Sequence, residues 1–169
     1  MCGKARVFNH RWDLPETFVD LGTIPANAVS EASGGLLSEA ILVKINRMLF
    51  DYDQVLICGP VFPHEVIGFS GGNKYLFPGV STGEMINQTP WLGALLGSYT
   101  LIGTACTPQR ALIDRAAETL TVPVACFALV RSQQQTPGMS VGSAVHARTA
   151  APPHTPQRHL PRDARPSRR

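Results

Sequence analysis

Over the first 130 residues, apolar positions gather in short runs separated by turn-forming residues, the rhythm that packed α/β units require. Residues 17–21 read as a short strand. Residues 26–37, with the Gly34-Gly35 pair, are turn-rich and fit neither period. Residues 40–46 (AILVKIN) are strand-like in their β-branched content, and residues 47–52 suit a short helix. The run 54–61 (QVLICGPV) is continuously apolar, which predicts a strand covered on both faces and hence a parallel sheet. It ends at the breaker pair Gly59-Pro60 and opens a glycine-dense loop over residues 63–83.

Residues 84–96 have helical character. Within them Thr89-Pro90 allows a second reading, a capping hydroxyl followed by proline at a first helical position. Leu101-Ile102 reads as another short strand. Thr107-Pro108 is a helix start, with Ile113, Ala116, Ala117 and Leu120 on one face of a helix ending near Thr121. Residues 122–130 (VPVACFALV) read as the last buried strand. The pattern predicts an α/β fold, a layered parallel-sheet domain of Rossmann-like kind. Trp12 and Trp91 are most simply packing residues.

Composition divides the chain near Val130. Residues 131–169 are rich in Pro, Arg, Ala and Ser and nearly devoid of large apolar side chains. Such a segment buries too little surface to offset its ordering entropy, so a disordered tail is expected. Its Arg-rich, Lys-free composition looks like GC-rich sequence translated in a foreign frame; a genuine basic interaction tail is the alternative. Charge divides at the same place. Residues 1–130 carry 8 Lys/Arg against 11 Asp/Glu, whereas residues 131–169 carry 7 Arg against Asp163 alone. The formal net charge of +3 is therefore an acidic body plus a basic tail. Nucleic-acid binding would rest on that tail, which lacks interleaved aromatics, and none is expected. No run approaches the roughly 20 apolar residues of a membrane helix, and residues 1–13 lack the apolar core of a secretory signal. A cytoplasmic protein with no membrane partner is expected. The four cysteines form no CxxC pair, and Cys58 and Cys126 read as buried thiols.

The candidate chemistry lies in residues 63–79, PHEVIGFSGGNKYLFPG, directly beyond a predicted strand, where open α/β sheets bind ligands. Gly68, Gly71, Gly72 and Gly79 allow close backbone approach. Ser70 and Lys74 add a hydroxyl and a cation beside exposed N–H groups, a phosphate-binding chemistry. The loop is not a Walker A sequence, because Asn73 and Tyr75 flank the lysine. A flexible turn with a solvated lysine is the plainer reading. His64 stands at the strand's end, where an imidazole can act as general acid or base, ligate a metal, or serve as a structural hydrogen-bonder. His10 lacks such positional support.

The run HEVIGFSGGNKYLFPGVSTGEMINQT, followed by IGT and then TPQRALIDRAA, closely resembles the lactate racemase family over residues 7–130. These are isomerases, racemases or epimerases of 2-hydroxy acids that use a nickel-pincer nucleotide. The resemblance implies that Lys74 carries the cofactor covalently, Ser70, Gly71 and Gly72 helping to bind it. It also implies that His64 is one of two acid/base histidines at the substrate's α-carbon, with hydride-type transfer through a 2-keto acid. The implied partner is a small 2-hydroxy acid.

Three departures from the family pattern stand beside this. The second acid/base histidine belongs to a TGTH-like segment upstream of Phe8-Asn9-His10, and is expected to be absent here. The substrate-contacting domain expected after residue 130 is replaced by the tail, so residues 1–130 read as a partial catalytic domain and 131–169 as the tail. The nickel ligand, a histidine sixteen residues after the cofactor lysine, corresponds to Pro90, which has no donor atom. A catalytically inactive, truncated remnant that at most binds a nucleotide is the alternative reading.

Overall fold

Alternating apolar residues set the first pair of strands. In the computed structural model, which describes residues 5–132 and 135–143, β1 (Phe18–Ile24) and β2 (Ile41–Asn46) pair antiparallel, Phe18 opposite Asn46 and Ile24 opposite Ile41. Ile41, Val43 and Ile45 are buried while Leu42, Lys44 and Asn46 are half-buried, the period-two signature of a strand with one face on the core. A register shift at Gly22 bends β1, where the Gly22 N–H donates to Asp20 Oδ1 at 2.7 Å. Between these strands, the stretch that fits neither period contains α1 (Ala26–Ser33). Gly34 at φ 65° ends it, and the Gly35 N–H donates to the Ser30 carbonyl at 2.8 Å.

β3 (Val55–Val61) pairs in parallel with β6 (Val124–Ser132), Val55 opposite Val124 and Val61 opposite Val130. Two sequence expectations are corrected here. The strand run is covered on one face only: Ile57, Val61, Cys126 and Ala128 are buried, whereas Leu56, Cys58, Phe127 and Leu129 point outward and are exposed. Cys126 is a buried thiol as expected; Cys58 is not. An apolar run reports hydrophobicity on both faces but not which elements arrive to cover them. The second correction concerns β6, which is not the last strand. β7 (Gln135–Gly142) pairs antiparallel with it, Cys126 opposite Gly142 and Val130 opposite Gly138. Residues 135–142, which the sequence reading places in a disordered tail, thus form a strand. Composition measures what side chains can bury, and misses the backbone hydrogen bonds that an edge such as β6 offers. Residues 144–169 lie outside the described residues.

The result is a mixed α/β structure in which the β3-β6-β7 sheet contains one parallel and one antiparallel pairing. β4 (Pro63–His64) and β5 (Gly68–Phe69) make a minimal antiparallel ribbon beyond β3. The chain continues through α2 (Gly83–Leu96), α3 (Ser98–Leu101) and α4 (Pro108–Ala117). Leu101-Ile102 is thus not a strand: Gly97 and Gly103, both at positive φ, bracket a single helical turn. Phe77, Leu92, Ile113 and Ala116 join Val29, Val43 and Ile45 in one buried cluster. Trp12 and Trp91 lie outside it and are exposed.

Of the two readings of Pro90, one helix runs straight through the position. Proline has no N–H for the carbonyl one turn back, and proline in a helix interior costs about 3 kcal/mol. Pro90→Ala is therefore expected to stabilise the chain by up to about 3 kcal/mol, read as a higher urea midpoint at unchanged slope. An unchanged midpoint would mean that the helix begins at Pro90 instead.

Candidate functional site

The glycine-dense loop is held from below by one face of α4. Thr107, Arg110 and Asp114 follow at spacings of three and four, which places them along a single helical stripe. Thr107 caps the helix, its Oγ1 accepting from the Arg110 N–H at 3.2 Å, and donates to the Ile67 carbonyl at 3.2 Å. Arg110, only 1% exposed, donates Nη1–H to the Gly71 carbonyl at 3.1 Å and Nη2–H to the Phe69 carbonyl. Asp114 Oδ1 accepts from Asn73 Nδ2 at 2.9 Å. The loop is thereby fixed at Ile67, Phe69, Gly71 and Asn73. The sequence reading marked Thr107 only as a helix start and did not single out Arg110 or Asp114; their helical spacing beyond Thr107-Pro108 was the available signal.

Two glycines are required by space. Gly68 sits at φ 85°, and a Cβ there would run into the Thr104 carbonyl oxygen. Gly71 sits at φ 81°, where a Cβ would fall 2.6 Å from Val61 Cγ2. The loop must therefore pass tightly over the end of β3. Ser70 stitches it there. Its N–H donates to the Phe62 carbonyl at 2.8 Å, and its Oγ accepts from the Phe62 N–H at 3.0 Å while donating to the Pro60 carbonyl at 3.4 Å. The Gly72 N–H is directed at the buried Cys126 thiol, whose proton affinity burial raises. Of the loop atoms expected to cradle a phosphate, the Ser70 hydroxyl and amide and the Gly72 amide thus point into the fold.

His64 and Lys74, ten residues apart, are brought face to face, with Nε2 to Nζ at 2.8 Å. β4 carries His64, and the single 3₁₀ turn Gly72–Tyr75 carries Lys74. The ring is oriented from its other side, where the Val66 N–H donates to Nδ1 at 3.1 Å. A neutral imidazole that accepts at Nδ1 carries its hydrogen on Nε2, the atom aimed at Lys74. Both groups hold protons less tightly than usual. Burial is the main cause for His64; Lys74, whenever it is protonated, and the Arg110 guanidinium add to it, and Glu65 opposes. Burial also leads for Lys74, reinforced by the Arg110 guanidinium and opposed by Glu65.

His10 belongs to a different environment. Its Nδ1 lies 3.0 Å from Asn46 Nδ2 and its Nε2 lies 3.2 Å from the Ser81 carbonyl, with the ring edge-on to Phe18. It joins β2 to the residues before α2 as a structural hydrogen-bonder. Among the described residues, no three His, Cys, Asp or Glu side chains cluster so as to hold a metal ion. Nor is any helix among them long and apolar enough to cross a membrane.

A family model, the lactate racemase N-terminal domain, matches residues 1–92, a span that contains His64, Ser70, Lys74 and Pro90. The chain belongs to the lactate racemase family. Among solved structures, a structural-genomics crystal structure of a protein from Thermotoga maritima is 32% identical with a TM-score of 0.76, over 85% of this chain and 37% of that one. The lactate racemase apoprotein from Thermoanaerobacterium thermosaccharolyticum is 19% identical with a TM-score of 0.58, over 79% of this chain and 29% of that one, a likeness of fold. The chain spans about a third of the length of these structures. No curated protein sequence matches it.

The pair's weakened proton affinity has a consequence for stability. His64 binds a proton more weakly folded than unfolded, so the unfolded state holds more protons as pH falls through and below the ordinary histidine value of about 6.5. Stability contributed by neutral His64 is thus present above that interval and declines below it. His64→Gln should flatten the decline, measured as the difference in urea midpoint between neutral and mildly acidic buffer. Equal declines in both proteins would show that His64 protonation is not what destabilises the fold.

Proposed function

We propose that this chain is the cofactor-attachment portion of a racemase or epimerase of 2-hydroxy acids, within a larger α/β domain of layered, Rossmann-like kind. The observation that carries this reading is the Lys74–His64 pair at 2.8 Å, lying inside the segment that matches the lactate racemase N-terminal domain. A half-buried lysine beside an imidazole suits a covalent tether, and Lys74 would hold the family's nickel-pincer nucleotide. When bound, that group supplies reversible removal of the α-hydrogen of a 2-hydroxy acid. His64 would act at the substrate oxygen as a proton donor through Nε2–H, with the ring kept in position by the Val66 N–H. Gly71 and Gly72 would let the backbone run close to the nucleotide, while Ser70 shapes the loop through its bonds to residues 60 and 62.

The tether fits and the metal ligand does not. Position 90, sixteen residues beyond Lys74, is proline and offers no donor atom, so no step is assigned to nickel here. That residue favours a second reading, a non-catalytic chain that at most binds a nucleotide.

Coexpression with the cofactor-synthesis enzymes separates these readings. Intact-mass analysis should show a covalent adduct that Lys74→Ala abolishes, whereas an adduct mapped to Lys44 would overturn the assignment. Pro90→His should in addition raise the nickel retained after chelator treatment. Equal retention by both proteins would show that position 90 is not the ligand position.

A further inference from the structure

The hydrogen bonds around His64 determine more than its orientation. Nδ1 is an acceptor, because the Val66 N–H points at it. A proton on Nδ1 would set two N–H groups against each other, so the ring's single hydrogen lies on Nε2. Nε2–H is then a donor toward Lys74 Nζ at 2.8 Å. An ammonium has three hydrogens and no lone pair, and cannot accept that bond. The contact closes only with a neutral amine.

We propose that His64, held by the Val66 amide, keeps Lys74 as a neutral amine in the unmodified chain and so makes it a nucleophile toward activated acyl carbon. The surroundings act in the same direction. The buried Arg110 guanidinium, anchored on the carbonyls of Phe69 and Gly71, repels a second cation within the same loop. Glu65 opposes it, and its carboxylate lies 3.7 Å from His64 Nδ1 on an exposed side chain, where its charge is screened. Asp114, the other acid at the loop, accepts from Asn73.

In the acylation this enables, rotation about the Cε–Nζ bond turns the lone pair from the His64 hydrogen to the acyl carbon. The N–C bond forms, the leaving group departs with the bonding electron pair, and one amine proton passes to water. The product is an amide-type linkage, the bond class that covalent attachment of a carboxyl- or thiocarboxyl-bearing group needs. The inference rests on the reading of Lys74 as the attachment point, but the amine's state does not depend on any particular cofactor.

Competitive acetylation of the full chain with trace acetic anhydride across roughly pH 6 to 11 tests it, because each lysine is labelled in proportion to its neutral fraction. Peptide mass spectrometry would compare Lys74 with Lys44. At neutral pH Lys74 should be labelled about tenfold more than Lys44, relative to each residue's limiting rate. His64→Phe should move the Lys74 curve toward that of Lys44, and His64→Gln, whose amide still donates, should restore part of the difference.

Coincident Lys74 and Lys44 curves would overturn the proposal. So would a Lys74 curve unmoved by His64→Phe, which would leave burial as the whole cause. If that variant does not fold, nitrogen-15 NMR of the unsubstituted chain decides: hydrogen on His64 Nε2 supports the proposal, and hydrogen on Nδ1 overturns it. Failure to find a cofactor adduct on coexpression would leave the labelling curve untouched, so the two readings fail separately.

Discussion

A buried guanidinium organises this fold around its site. Arg110 is 1% exposed and reaches from α4 to the carbonyls of Phe69 and Gly71, in the glycine loop that connects β5 to the Lys74 turn. A charge in that position is tolerable only while its donors meet acceptors, since an unsatisfied buried cation costs several kcal/mol. The requirement runs in both directions. The loop can pass tightly over β3 because Arg110 gathers its carbonyls, and Arg110 can be buried because glycine lets those carbonyls converge. Thr107 and Asp114, on the same stripe of α4, extend the attachment to Ile67 and Asn73. Helix, loop and strand end thus form one rigid support.

That support explains how two residues ten apart become a pair. His64 leaves the end of β3 on a two-residue strand, while Lys74 returns on a single 3₁₀ turn after the chain has crossed back through β5. Ser70, bonded to Phe62 and Pro60, closes the base of this excursion. Serine and glycine therefore act as architecture, and the candidate chemical groups they bring together are one imidazole and one amine. Arg110 contributes to that chemistry at a distance, since its fixed charge weakens proton binding at both groups.

Much of the architecture is visible in the residue pattern. The β-branched alternation of β2, the apolar runs of β3 and β6, and the Thr107-Pro108 helix start all appear where the pattern places them. The pattern is weaker where backbone, and not side chains, decides the outcome. β7 carries glycine, proline and polar residues, and is ordered by pairing with an existing edge. α1 hides in a small-residue stretch, because its end is set by the αL conformation of Gly34 and not by apolar periodicity. Leu101-Ile102 has strand composition but only one helical turn of room between two glycines.

The family resemblance carried by the SGGNK run and the histidine ten residues before its lysine marked Lys74 and His64 as the candidate centre. Residue identity determined that position 90 lacks a donor atom, a matter of covalent structure that no fold can change. Tertiary structure decided which atoms face one another. Hydrogen bonds are directional, so only the assembled loop shows that Ser70 points inward and that the Val66 amide meets His64 at Nδ1. Burial is likewise a property of the assembled chain: Cys126 lies inside and Cys58 outside although both sit in apolar runs, because among the described residues other elements pack against only one face of the sheet.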